Sequence, residues 1–170
     1  AEILIVDDEP DICELVSGIL QDEGYATRTA RDGDDALNAI KTRRPNLVFL
    51  DIWLQGSDHD GLQILEKVKA DYPEIPILMI SGHGTIETAV AAIKQGAFDY
   101  LAKPYDEQDL LERVAKAMAH RRVKDQNEGL RERLRSGVSG RRLIHRSRSF
   151  GDAIDMLERI LAALYQVVTN

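Results

Sequence analysis

Leu47-Val48-Phe49-Leu50-Asp51 decides the fold of this chain. Four consecutive apolar residues closing on a carboxylate read as a short strand buried on both faces. A carboxylate inside that run would carry a large desolvation cost, so Asp51 belongs where the carboxyl end of the strand opens to solvent. In an open parallel sheet that edge is where ligands and chemistry sit. Asp is also common at strand ends as a cap or turn former. The choice between the two readings lies in the rest of the chain.

Working outward from that strand, the first 119 residues alternate strand and helix with short connections. Ile3-Leu4-Ile5-Val6 is a second continuous apolar run, ending in Asp7-Asp8-Glu9. Pro10 suits the first turn of a helix, with Ile12, Leu15, Val16, Ile19 and Leu20 as its apolar face and Gly24 as its stop. Tyr25 to Thr29 reads as a weaker strand and Gly33 to Arg43 as a helix. Leu62, Ile64, Leu65 and Val68 mark the helix that follows the central strand. Ile75 to Ile80 reads as the fourth strand, its Pro76 near the start, where a missing N–H does least harm. Thr85 to Gln95 is a helix closed by Gly96, Phe98 to Leu101 a fifth strand, and Asp106 the cap of a last helix carrying Leu110, Leu111, Val114, Ala117 and Met118. Five such units imply a parallel sheet with helices on both faces. Right-handed crossovers leave few topologies, and the flavodoxin-like order 2-1-3-4-5 sets strands one and three side by side. That order brings Asp7, Asp8 and Asp51 to one edge.

The composition sets bounds. At 170 residues, with 44% apolar and 30% charged, the chain can bury a sizeable core as one domain or one domain with an appendage. Aromatics at 5% favour an aliphatic α/β core. The single Cys13 excludes an intramolecular disulfide and a Cys-cluster metal site, and fits a reducing compartment. No run of some twenty apolar residues is present, so the expectation is a cytoplasmic protein without a membrane segment. Charge is uneven: residues 1–119 hold 11 basic and 23 acidic residues, and residues 120–148 hold 10 basic and 3 acidic. The sign change separates an acidic module from a basic extension. We therefore expect a domain over 1–119, a basic helical and flexible linker over 120–140, and a helical tail over 141–170.

The chemistry at the shared edge is specific. Three carboxylates close together raise each other's pKa, and a hard divalent cation with oxygen ligands, Mg²⁺ above all, relieves the repulsion. Ser81 ends the fourth strand, and Lys103-Pro104 follows the fifth, at the same edge. A metal, an ammonium and a hydroxyl around one carboxylate make a phosphoryl site with Asp51 as nucleophile. Lys103 would clamp one oxygen of the incoming group and Ser81 would hydrogen-bond another.

Ile5-Val6-Asp7-Asp8-Glu9, Phe49-Leu50-Asp51, Ile80-Ser81-Gly82 and Tyr100-Leu101-Ala102-Lys103-Pro104 resemble the receiver domain of two-component response regulators, the CheY-like fold, across residues 1–119. The resemblance implies that Asp51 accepts phosphoryl from a sensor histidine kinase, and that Asp7, Asp8, Asp51 and the backbone carbonyl of Trp53 hold Mg²⁺. It implies too that Ser81 and Tyr100 are the switch hydroxyl and switch aromatic, and that Lys103-Pro104 is cis. Such a module is not an enzyme beyond promoting its own phosphorylation and dephosphorylation. The loop after Asp51, Ile52-Trp53-Leu54-Gln55-Gly56, lacks the Pro of the common pattern and resembles the NtrX branch of nitrogen-regulation response regulators, partnered by the NtrY sensor kinase. The face of the fourth helix, fifth strand and last receiver helix, near Ala89, Val90, Ile93, Leu110 and Leu111, or the C-terminal helix, is the expected homodimer or output contact.

Toward the C-terminus, Val123, Asn127, Leu130 and Leu134 stand at 4-3-4 spacing, either a short coiled-coil seam or a solvated linker helix. Ser136 to Gly140 reads as a flexible break. Leu143-Ile144-His145-Arg146-Ser147 with a helix from Phe150 to Tyr165 resembles the opening of the ATPase module of NtrC-type activators, with His145 where Gly is usual. No phosphate-binding Gly-x-x-x-x-Gly-Lys motif is present, and DNA contact is expected only through an output domain. A different, non-transcriptional output stays open. A haloacid-dehalogenase-type phosphatase would need a second acid where Trp53 stands. A flavodoxin-type carrier would place its flavin phosphate against Asp7-Asp8-Glu9.

Overall fold

In the continuous apolar strands, successive side chains point to opposite faces of the sheet. Leu4, Val6, Val48 and Leu50 enter one buried cluster, and Ile3, Ile5, Leu47 and Phe49 enter another. That division gives the sheet two covered faces and its parallel sense. In a computed structural model, which describes residues 1–55, 60–137 and 148–169, the elements run β1 (Glu2–Val6), α1 (Pro10–Asp22), β2 (Ala26–Ala30), α2 (Gly33–Thr42), β3 (Leu47–Asp51), α3 (Gly61–Asp71), β4 (Ile77–Ser81), α4 (Ile86–Lys94), β5 (Asp99–Ala102), α5 (Glu107–Gly137) and α6 (Arg148–Thr169). The five strands are parallel in the order β2-β1-β3-β4-β5. This is the CheY-like receiver fold expected from the sequence. No helix among the described residues is long and apolar enough to cross a membrane.

One cluster fills the space between the sheet and α2, α3 and α4; the other lies under α1 and the first turns of α5. Cys13 is buried in the second, its thiol donating to Asp7 O at 3.3 Å. Several boundaries move from their expected places. β4 begins at Ile77 because Pro76 and Ile75 form its entry: Pro76 O accepts from Val48 N at 3.0 Å, and Ile75 O accepts from the Lys69 ammonium. β2 and β5 each start one residue later than expected. Leu15, expected on the apolar face of α1, is 59% exposed, since Cys13, Val16 and Leu20 complete that face without it.

α5 continues without a break past the sheet to Gly137, so the linker expected over 120–140 is helical at least that far. Arg121 Nη1 ties the start of this extension to Pro45 O at 2.6 Å. Val123 and Leu130 are exposed beyond it. The Ser-Gly break from 138 and Leu143 to Ser147 lie outside the described residues. The expected Phe150–Tyr165 helix is α6, longer at both ends. It lies along α4 and the edge strand β5, with Ala163 fully buried and Met156, Ile160 and Val167 packed at its flanks.

Candidate functional site

Register builds the site. Val6 pairs with Leu50, so Asp7, one residue past β1, stands beside Asp51 at the end of β3. Asp51 pairs with Ile80 and Ser81 with Ala102, which places Ser81 and Lys103 at the same carboxyl edge. The edge therefore gathers side chains from four strands, as a topological switch point does. Asp7 and Asp51 are 1% and 5% exposed, and Asp8 is half-buried. One carboxylate oxygen from each of the three lies within 4.8 Å of the others, a hard-oxygen donor set suited to a cation such as Mg²⁺.

Lys103 Nζ bridges two of these acids, 2.8 Å from Asp51 Oδ2 and 3.1 Å from Asp7 Oδ2. Asp51 Oδ1 accepts from the backbone N–H of Trp53 at 3.1 Å, and Asp7 Oδ1 from that of Glu9 at 2.9 Å. Burial pushes the Asp51 carboxyl up from its ordinary range, opposed by the Lys103 hydrogen bond and the Trp53 N–H. Burial works against the Lys103 ammonium as well, but the hydrogen bond and charge of Asp51, with the charge of Asp7, outweigh it and its pKa is raised. Lys103 is thus a cation held in a largely buried acidic cleft, where each such contact is worth more than in water. The Lys103-Pro104 bond is cis.

Ser81 is buried, its Oγ accepting from His83 N at 3.2 Å. Tyr100 is fully buried on the α4 side of the sheet. Its hydroxyl lies beside Ser81 but makes no hydrogen bond of ordinary geometry, and burial raises its pKa. The Trp53 ring, by contrast, is 54% exposed at the mouth. Of the sequence-predicted residues, Lys103 meets Asp7 and Asp51 directly and Asp8 stands with a carboxylate oxygen within 4.8 Å of theirs; Ser81 and Tyr100 form a second layer toward α4. Residues 56–59 of the loop after Asp51 are outside the described set.

Two glycines and one cap were not read from the sequence. A Cβ on Gly61 would overlap Asp51 O and Ile52 Cα, so α3 can start against the backbone of the site only with glycine there. Gly61 N also donates to Ile52 O at 2.8 Å. Asp60 precedes it and forms a reciprocal capping box with Gln63; the Asp-Gly-Leu-Gln spacing was the available signal. A Cβ on Gly84 would overlap the Tyr100 hydroxyl.

An acidic trio, a bridging lysine and a buried hydroxyl at the carboxyl edge of a 2-1-3-4-5 sheet are the arrangement of a receiver-type site. Residues 3–115 match the response regulator receiver domain family, and the chain belongs to it. Within that family it is similar to the nitrogen assimilation regulatory protein NtrX of Azorhizobium caulinodans, 56% identical over 131 residues, which are 77% of this chain and 29% of that protein. The crystal structure of NtrX from Brucella abortus superposes with a TM-score of 0.75 at 52% identity, over 84% of this chain and 32% of that one. The crystal structure of the receiver domain alone from the same protein gives 0.67 at 57% identity, over 69% of this chain and 98% of that one. The chain spans under a third of the length of these full-length NtrX relatives.

Proposed function

We propose that this chain is the receiver module of an NtrX-type nitrogen-regulation response regulator, accepting a phosphoryl group on Asp51 from an NtrY-like sensor histidine kinase. The observation that carries the reading is Lys103 Nζ held between Asp7 and Asp51 at the edge of the sheet. In the transfer, an Asp51 carboxylate oxygen forms the new P–O bond as the P–N bond to the kinase histidine breaks, and the electron pair leaves with the imidazole nitrogen. Lys103 stays protonated and moves its contact from the free carboxylate to a phosphoryl oxygen. Ser81 Oγ–H donates to another, and the Trp53 N–H keeps the carboxylate oriented. Asp7, Asp8, Asp51 and the Trp53 carbonyl would hold Mg²⁺, which when bound neutralises charge building on the transferred group.

The consequence proposed is regulatory: Ser81 and Tyr100 report the phosphoryl to the face of α4, β5 and α5, and an output domain beyond this chain acts on transcription and meets DNA. On this reading the module is a regulator and not an enzyme acting on other substrates, working in the cytoplasm with its kinase. Residues 1–119 are the receiver, 120–140 the linker, and 141–170 the incomplete start of an ATPase module. Intact-mass measurement after incubation with acetyl phosphate tests the core of this proposal. One phosphoryl on the wild-type chain, dependent on Mg²⁺ and absent from Asp51→Asn, is the expected result. Equal acid-labile modification of Asp51→Asn would end it.

A further inference from the structure

α6 lies on the surface through which a receiver of this kind would speak. An edge strand such as β5 presents unpaired backbone groups and is commonly covered; here the cover is α6, which also runs along α4. Its inner side sets Met156, Ile160, Ala163 and Val167 at 4-3-4 spacing against one apolar cluster, and that same cluster contains the fully buried ring of Tyr100. A polar clasp holds the far turn: Arg113 binds Asp99 of β5 at 2.6 Å and Asp109 at 3.0 Å. Gln166 of α6 accepts from Arg113 and donates to Asp109 at 2.8 Å. Nearer its start, the Arg159 guanidinium lies over the Phe98 ring, 5.5 Å from its centroid. Helix α6 is therefore engaged with α4, β5 and α5 together.

Tyr100 connects this cover to the site. Its ring is in the α6 cluster, while its hydroxyl lies beside Ser81 and fills the space a side chain on Gly84 would need. We propose that α6 is the resident occupant of the α4-β5-α5 face and that its docking is linked, through the inward position of Tyr100, to phosphoryl engagement at Asp51. Ser81 drawn toward a phosphoryl oxygen leaves the inward hydroxyl of Tyr100 more room, so docking of α6 and engagement of the site favour each other. Such a linkage is reciprocal: whatever strengthens one strengthens the other by the same factor. This rests on the phosphoryl reading above for its second half only.

The test uses the 170-residue chain, Gly84→Ala, which displaces the Tyr100 hydroxyl without altering α6, and Ala163→Glu, which places a charge on the inner side of α6. Amide hydrogen exchange reads α6, and Trp53 fluorescence reads binding of beryllofluoride with Mg²⁺ as a phosphoryl mimic. Expected are exchange in α6 about fivefold faster in Gly84→Ala, slower in wild type with the mimic, and mimic affinity about fivefold weaker in Ala163→Glu. Wild-type exchange in a folded Gly84→Ala, or wild-type mimic affinity in Ala163→Glu, would overturn the linkage. If no variant responds to the mimic, the phosphoryl reading fails, and α6 exchange in Gly84→Ala alone decides whether Tyr100 governs docking. Should Gly84→Ala not fold, Tyr100→Leu, too short to reach Gly84, takes its place with the same expected loosening of α6.

Discussion

Lys69 shows how one side chain can be held in an unfavourable state by its surroundings. It closes the turn after α3 by donating to Pro73 O and Ile75 O, with Lys124 and Arg159 near it. Burial first, and then those two cations, lower its pKa to about 8. The unfolded chain binds this proton up to a pKa of about 10.4, so between the two values the unfolded state holds more protons and stability rises with pH. Below about 8 both states are protonated and the full penalty stands. We expect wild-type stability, relative to Lys69→Met, to improve between pH 8 and pH 10; denaturant midpoints across that range check it, and a parallel pair of curves would refute it. At the mouth of the site, Trp53 sets a second expectation. Its backbone N–H is fixed on Asp51, and on the phosphoryl reading its ring would crowd the approach of water. Trp53→Asn should lose an acyl phosphate several-fold faster, equivalent to about 1 kcal/mol of barrier. Acid-quenched decay with Mg²⁺ at fixed pH measures it, and an unchanged rate would clear Trp53 of this role.

Among the elements, α3 depends on how its first turn is set against the site. The Asp60 and Gln63 capping box satisfies two N–H groups there, and Asp60→Ala should cost about 1 kcal/mol. For a chain of this size that lowers the Tm by about 2–4 °C, read by calorimetry; no change would mean that the Gly61 contact alone fixes the helix start. The elements themselves were legible because three apolar runs end in Asp or Ser and are followed by helical spacing, which leaves few topologies for the sheet. The edge residues Asp7, Asp8, Asp51, Ser81 and Lys103 followed from that sheet and its register. What the pattern could not resolve depended on contacts between distant segments. Leu15 fits the spacing of α1 yet is exposed, because periodicity gives a face and not its width. Gly61 and Gly84 are small for the sake of neighbours, Asp51 and Tyr100, that no local pattern identifies. Ala89, Ile93 and Leu110, named only by region as near the contact face, are core; α6 packs on the cluster that holds Ala89 and Ile93, while Leu110 lies in the cluster under α1 and α5. Helix α6 has apolar residues on both sides, with Leu157 and Leu161 59% and 64% exposed, so its sequence alone does not select the side that docks.

Across the whole molecule, Arg113 is the residue that joins the sheet, the long helix and the C-terminal helix. Its side chain is 12% exposed and Asp99 opposite it is 10% exposed, so this pair is far from a surface ion pair. Burial raises the Asp99 carboxyl pKa, while the Arg113 charge, the Tyr100 N–H and the Arg113 hydrogen bond pull it down. The Tyr100 N–H comes from the residue whose ring underlies α6, at 2.8 Å from Asp99 Oδ1. Arg113→Met removes the cation and leaves Asp99 buried beside Asp109, a loss of about 3 kcal/mol or more. With the cation gone, the folded pKa of Asp99 rises further above its unfolded value. The variant should then gain stability relative to wild type as pH falls toward the carboxylate range, because the folded state binds the extra proton. Adding Asp99→Asn removes the stranded charge and should restore part of the loss at pH 7 and flatten that pH dependence. Urea unfolding of the two single variants and the double variant, at pH 7 and pH 5, measures the coupling. Additive losses at both pH values would show that Arg113 and Asp99 stabilise the molecule independently, and that α6 is not anchored through their pairing.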